Sequence, residues 1–399
     1  MQILRASKLF TSQRELSDAW LVLSEGVVTG VGSGRIPAEY EAAPVTDLGD
    51  AILAPGYVDI HCHGGGGVSF GAVGEQGLID AATILATHLR TGTTTMIASL
   101  VTNPIGQLAD AVRTLGPLVA DGTIAGVHLE GPWLSHAHKG AHDPQLLALP
   151  TPEDIAQIFD SAPGTVKMVT IAPELDGGMA AIADFVARGA IAAVGHTNVD
   201  YDLAGQAIDA GATNVTHLFN GMSPIHHREP GPIIKFLEDD RIMVELIADG
   251  VHSHPAMVAH AAKAAGEDRV ILVTDAMAAA CMSDGDYLLG ALTVEVRSGV
   301  ARLQSQGSEL GSIAGSTLTM ERAVQFCVQE AGLSLRAALA AATRVPAAAL
   351  GRADIGHLEP GATADIVVLQ PDLTVARVYQ RGHLTVDKLP ENLAERPAW

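Results

Sequence analysis

Two short apolar runs constrain the fold most. Ala192-Ala193-Val194-Gly195 stops on His196, and Asn214-Val215-Thr216 stops on His217 about twenty residues later, each with Gly or Asn close behind. A continuous apolar run bounded by turn residues is how a strand buried on both faces of a parallel sheet reads. The stretch from Tyr201 to Ala210 between them has helical spacing. A strand, a helix and a parallel strand would set two imidazoles side by side at the carboxyl edge of one sheet. Neutral imidazole is the commonest protein metal ligand, and a catalytic zinc site needs about three protein ligands and one open position.

The same unit recurs. Strand candidates begin near Ile52, Thr93, Thr123, Val166, Ala190, Asn214, Ile242 and Val270, with Ala/Leu-rich helical stretches such as Leu78 to Thr91 and Pro255 to Gly266 between them. Eight β/α units over about 300 residues fit an α/β fold of the (β/α)8 TIM-barrel type spanning 53–354. The ends of the chain differ. Trp20-Leu21-Val22-Leu23 and Val27-Val28-Thr29 flank Ser24-Glu25-Gly26 with hairpin spacing, and residues 361–369 and 375–379 read as strands about Pro371-Asp372. Residues 1–52 and 355–399 are therefore expected to combine into a small β-sandwich domain beside the barrel. Tyr287 to Gln304 alternates apolar and polar around Arg297-Ser298-Gly299, which predicts a hairpin inserted after the eighth barrel strand.

Active sites of such barrels lie at the carboxyl ends of the strands. The first ends in Asp59-Ile60-His61-Cys62-His63, where residues two apart share a face, so His61 and His63 converge. The third ends in His128-Leu129-Glu130, the fifth in His196, the sixth in His217, the seventh in Asp249-Gly250-Val251-His252 and the eighth in Thr274-Asp275. A buried Glu130 without a cation would carry a large desolvation cost. His136, His138, Lys139 and His142 follow the third strand, and His226-His227-Arg228-Glu229-Pro230-Gly231 follows the sixth.

The formal net charge of −21 argues against nucleic acid as a partner, because phosphate backbone is held by a basic surface. A phosphate on a small molecule is compatible with it, since a single arginine can hold one. Three scattered cysteines do not make a disulfide framework, Met1-Gln2-Ile3-Leu4-Arg5 does not read as a signal peptide, and no apolar run reaches the ~18 residues of a membrane span. No membrane partner is expected, and the cytoplasm is the expected compartment.

The segment Pro55-Gly56-Tyr57-Val58-Asp59-Ile60-His61-Cys62-His63 resembles the opening of the amidohydrolase superfamily. His128-Leu129-Glu130-Gly131-Pro132, Gly195-His196-Thr197, Thr216-His217-Leu218-Phe219-Asn220, Arg228-Glu229-Pro230-Gly231, Ala248-Asp249-Gly250-Val251-His252, Val273-Thr274-Asp275-Ala276 and Ala314-Gly315-Ser316 resemble its sugar-phosphate deacetylases. That resemblance implies a divalent metal, zinc first, with iron, manganese or cobalt as alternatives, held by Glu130, His196 and His217. His61 and His63 leave room for a second ion, with Glu130 bridging; Lys167, at the start of its strand, is a poor ligand candidate. Asp275 is implied as general base and then general acid, and His142 as the substrate contact near the carbonyl oxygen. Arg228, given by the neighbouring subunit of a homodimer, would hold a phosphate together with His252, Asn220 and Gly221. His136 and His138 receive no role and are expected to be solvated. The implied reaction is hydrolysis of the acetamide of N-acetylglucosamine 6-phosphate. The galacto epimer is an alternative that the residues leave open. Other amidohydrolases would be expected to carry a lysine or cysteine ligand and would not need Arg228. A non-catalytic binding protein would be expected to lack the base or a ligand, and all are present.

Overall fold

The computed structural model describes residues 1–12, 14–304 and 311–388. Eight parallel strands form one sheet, in spatial order Val270–Val273, Met243–Ile247, Asn214–Val215, Ile191–Val194, Val166–Ile171, Gly126–Glu130, Thr93–Val101 and Tyr57–Cys62. The order is sequential because each strand feeds a helix that returns the chain to start the next parallel strand. The first and last strands meet at their carboxyl ends. Cys62 bridges Ala276, the Asp275 amide donates to the His61 carbonyl at 2.8 Å, and the His63 amide donates to the Ala276 carbonyl at 2.8 Å. The Thr274 hydroxyl adds a 2.6 Å bond to the Asp59 carboxylate. The (β/α)8 expectation is therefore met, with the ring drawn together beside the two histidines of the first strand.

Local sequence explains the helices. Asp200 accepts from the Leu203 amide and caps Tyr201–Asp209, Thr151 caps Pro152–Phe159, Thr319 caps Met320–Gln329 and Ser334 caps Leu335–Ala342. Their apolar faces close a continuous core around the barrel that includes Ile84, Val112, Ile158, Phe185, Phe236 and Val258. Among the described residues, no helix is long and apolar enough to cross a membrane.

The two chain ends pair with each other. Their sheet runs His383–Asp387, Val375–Gln380, Ile366–Leu369, Ile52–Pro55, Gln2–Phe10, Glu15–Ser24, Val27–Ser33, with Val45–Asp47 also on Gln2–Phe10. Its own core contains Leu4, Leu9, Leu21, Leu53, Ile366 and Val368. Glu25 and Gly26 both take positive φ, 51° and 81°, as a two-residue turn joining right-twisted strands requires. The chain near Ile52, expected to open the barrel, does something different. Ile52–Pro55 pairs antiparallel with Ile366–Leu369, and the barrel begins beyond Gly56 at Tyr57. An apolar run of this length is buried in either place, so hydropathy alone does not separate the two strands.

The expected hairpin after the eighth strand is a three-stranded antiparallel sheet, Gly285–Leu289, Leu292–Arg297 and Val300–Leu303. Its turn at Ser298-Gly299 lies where the sequence places one. Leu289, Val294, Val296 and Ala301 pack on Met277, Ala278, Ala279 and Ala314, so the sheet rests on the loop that follows Asp275.

Candidate active site

The carboxyl ends of the barrel strands surround a cavity of about 490 Å³. His63, Glu130, His142, His196, His217, Asn220, Gly221, His252 and Asp275 all line it, and His61 lies directly beneath. A larger cleft of about 830 Å³ opens at the amino ends of the strands, beside the terminal sheet. Its Arg352 and Asp354 pair with each other at 2.6 Å, and it contains none of the converging imidazoles. The chemistry belongs to the smaller cavity.

Glu130 is its centre. One carboxylate oxygen lies 3.2 Å from His196 Nε2 and 3.0 Å from His217 Nε2, and the other lies 3.0 Å from His63 Nε2. His61 Nε2 is 3.0 Å from His63 Nε2 and 3.5 Å from Asp275, while His63 Nε2 is 3.2 Å from Asp275. His196, His217 and Asp275 have φ of 47°, 29° and 47°, uncommon for residues with side chains. The backbone turns sharply at each strand end, and that turn aims the side chain inward. Gly140 and Gly221 close on the His196 ring: a Cβ on either would lie 2.8 or 2.9 Å from it, and both have positive φ.

The far nitrogens of the rings explain the tautomers. His63 Nδ1 lies 3.2 Å from the Ser99 carbonyl and His196 Nδ1 lies 2.7 Å from the His138 carbonyl. A carbonyl only accepts, so each Nδ1 carries a proton, and whenever the ring is neutral its Nε2 presents a lone pair. Those lone pairs face one another and the carboxylates of Glu130 and Asp275. Acceptors facing acceptors in a buried cluster are reconciled by protons or by a cation. His61, His63, Glu130 and Asp275 form one group whose ligand atoms lie within 4.8 Å of one another, and Glu130, His142 and His196 form another. Both share Glu130, so the donor set fits a divalent metal.

Electrostatics agree with that arrangement. Burial works against a proton on His61, but Glu130 and Asp275 outweigh it and hold the ring well above its ordinary pKa. The same contest lifts His63 to about 9. Burial disfavours the two carboxylate charges as well, yet the imidazoles, His61 first, hold Glu130 well below the usual range and Asp275 at about 2. Beneath them His128, lowered by burial and by the His61 charge, stays neutral and bonds to Ser99 and Thr170.

The barrel and this cluster coincide with the match of residues 52–385 to the amidohydrolase family. The chain belongs to the amidohydrolase family. It is 37% identical to the human N-acetylglucosamine-6-phosphate deacetylase, over 85% of this chain and 84% of that one. It is 34% identical to an N-acetylgalactosamine-6-phosphate deacetylase of Escherichia coli O157:H7, over 96% and 98%. A solved structure of a mutant Mycobacterium smegmatis N-acetyl-D-glucosamine-6-phosphate deacetylase, in complex with N-acetyl-D-glucosamine-6-phosphate, superimposes with a TM-score of 0.91. It is 46% identical, covering 96% of this chain and 99% of that chain.

Other residues of this amidohydrolase fall as follows. His142 is buried, with Nδ1 2.8 Å from the Thr102 hydroxyl and Nε2 3.6 Å from Glu130; burial lowers its pKa and keeps it neutral. His252 Nδ1 pairs with Asp249 at 2.7 Å on the cavity wall. Arg228 is not brought to the cavity: it is exposed and donates to His227, not to Glu229. His136 is exposed as expected, but His138 is half-buried and its carbonyl orients His196, so it is not merely solvated. Two residues escape the sequence reading. Glu245 is fully buried, 3.2 Å from His61 Nδ1, and its signal is a lone charge inside the apolar strand Met243–Ile247. Arg302 lines the cavity from the inserted sheet, and an alternating surface pattern gives no hint of it.

Proposed function

We propose that this chain is a metal-dependent deacetylase that hydrolyses the acetamide of N-acetylglucosamine 6-phosphate to glucosamine 6-phosphate and acetate. The observation that carries the reading is Glu130 shared between two imidazole pairs, with the Asp275 carboxylate beside it, in a cavity that also holds His142 and His252. The kinship with deacetylases of both hexosamine 6-phosphates supports the substrate class.

Glu130, His196 and His217 would hold one ion, and His61 and His63, with Glu130 shared, would hold a second; zinc suits this histidine and carboxylate set. A bound divalent cation polarises a carbonyl and brings the pKa of a water towards neutrality. Asp275 takes a proton from the attacking water and later returns it to the departing amine, which is a poor leaving group until protonated. His142, oriented by the 2.8 Å bond between its Nδ1 and the Thr102 hydroxyl, would donate from Nε2 to the acetyl oxygen as negative charge develops there, an effect worth about 3 kcal/mol. Asn220, Gly221 and His252 face the phosphate end.

Arg228 completes the phosphate site of a neighbouring subunit in a homodimer; its exposure, away from its own cavity, supports this. The three cysteines are free thiols, which fits a reducing compartment, and we assign the enzyme to the cytoplasm. The test is acetate release by metal-loaded enzyme from N-acetylglucosamine and N-acetylgalactosamine, each with and without the 6-phosphate. The gluco 6-phosphate should lead by orders of magnitude. Turnover of none of the four by protein that retains metal would reject the substrate.

A further inference from the structure

Part of the cavity wall is made by the inserted sheet and the segment that follows it. Arg302 sits in the sheet's last strand, Val300–Leu303, and bridges Ile313. Its guanidinium donates to the Gly311 carbonyl at 3.0 Å, which fixes the fork over the cavity. Gly311, Ser312, Ile313 and Gly315 line the cavity that Asn220, Gly221 and His252 also line.

Charge gives this position its meaning. Among the described residues that line the cavity, Arg302 is the one lysine or arginine, whereas Glu130 and Asp275 place two carboxylates there. A phosphate dianion entering such a cavity meets repulsion that His252 only partly offsets, since that ring is already paired with Asp249. No carboxylate of the described residues lies within ion-pair distance of Arg302, although Glu295 stands opposite it in the ladder, because Glu295 pairs with Arg297 instead. An arginine held by one carbonyl, with no carboxylate of the described residues within ion-pair distance, and lining the same cavity as His252 has the features of an anion receptor.

We infer that Arg302 is a phosphate-recognition residue contributed by the chain's own inserted sheet, forking onto the 6-phosphate beside His252. This rests on the proposed sugar-phosphate substrate. It gives each subunit a cation for the phosphate independently of any arginine from a neighbour. It also gives the inserted sheet a purpose: packing on the loop after Asp275 fixes the distance between phosphate reader and base.

Arg302→Gln keeps length and a donor for the Gly311 carbonyl but removes the charge; Arg302→Lys keeps a charge without the fork. Two readouts are taken on metal-loaded protein whose melting temperature is checked. In turnover, the ratio of kcat/KM for N-acetylglucosamine 6-phosphate over N-acetylglucosamine should fall about ten- to hundredfold in the Gln variant and less in the Lys variant. In calorimetry with inorganic phosphate as the probe, Kd should rise about tenfold or more in the Gln variant. The phosphate titration does not depend on the sugar, so it decides the role of Arg302 even if the wild type turns over neither sugar, a result that would reject the substrate alone. A Gln variant with wild-type phosphate affinity overturns the inference. So does an unchanged kcat/KM ratio in a wild type that prefers the phosphorylated sugar.

Discussion

The carboxylate of Glu245 lies 3.2 Å from Nδ1 of His61, on the side of the ring turned away from the cavity. Both side chains are fully buried, and the same carboxylate accepts from the His217 amide at 3.4 Å. A ligand imidazole whose far nitrogen is held by a carboxylate is fixed in orientation and made a better donor. Glu245→Gln should keep the packing and weaken metal affinity about 10- to 100-fold. Chelator competition, with folding followed by circular dichroism, would show it; an unchanged affinity means Glu245 only fills space.

Asp275→Asn should keep the fold and the metal content and lose most turnover. Positioned general acid–base groups contribute about 10²- to 10⁴-fold, and in the proposed mechanism one carboxylate serves two steps. Metal analysis beside single-turnover kinetics separates lost chemistry from lost metal. Normal turnover would remove Asp275 from the reaction.

Arg228→Ala and Asp275→Asn should complement each other. If Arg228 serves the neighbour's cavity, a mixed dimer contains one site with both residues intact and one with neither. Random mixing of the two variants, assayed at a substrate concentration at which neither alone turns over appreciably, should then recover about a quarter of wild-type activity. No recovery in a mixture shown to exchange subunits would place the arginine elsewhere.

His252 predicts a signed pH effect. Burial opposes its proton, but the Asp249 bond outweighs that and raises its pKa. A group raised on folding contributes stability fully present below its unfolded value, about 6.5, and lost as pH rises through the folded value. The stability gap between the wild type and His252→Gln should thus be widest below about pH 6.5 and narrow at higher pH. Melting temperatures across roughly pH 5.5 to 9 measure it, and a gap that widens with pH reverses the assignment.

How much of this was legible depended on the kind of signal. His61, His63, Glu130, His196, His217 and Asp275 were readable because each ends an apolar run, and the ends of buried parallel strands all point to one rim. Ile52–Pro55 was misplaced because burial in the barrel and burial in the terminal sheet demand the same residues. Glu245 left a visible mark, one acid in an apolar strand, with nothing in sequence to say which ring it faced. Arg302 left none, since only tertiary packing turns a residue of an alternating strand from solvent to cavity.

The seam where Asp275 bonds to the His61 carbonyl and His63 bonds to that of Ala276 also sets an order of events during synthesis. Two imidazoles emerge from the ribosome early, while the carboxylate beside them follows more than two hundred residues later. Until Asp275 has left the exit tunnel, the ring of strands cannot close beside those histidines. A partly made chain therefore carries the paired imidazoles without the bonds that join the first barrel strand to the last.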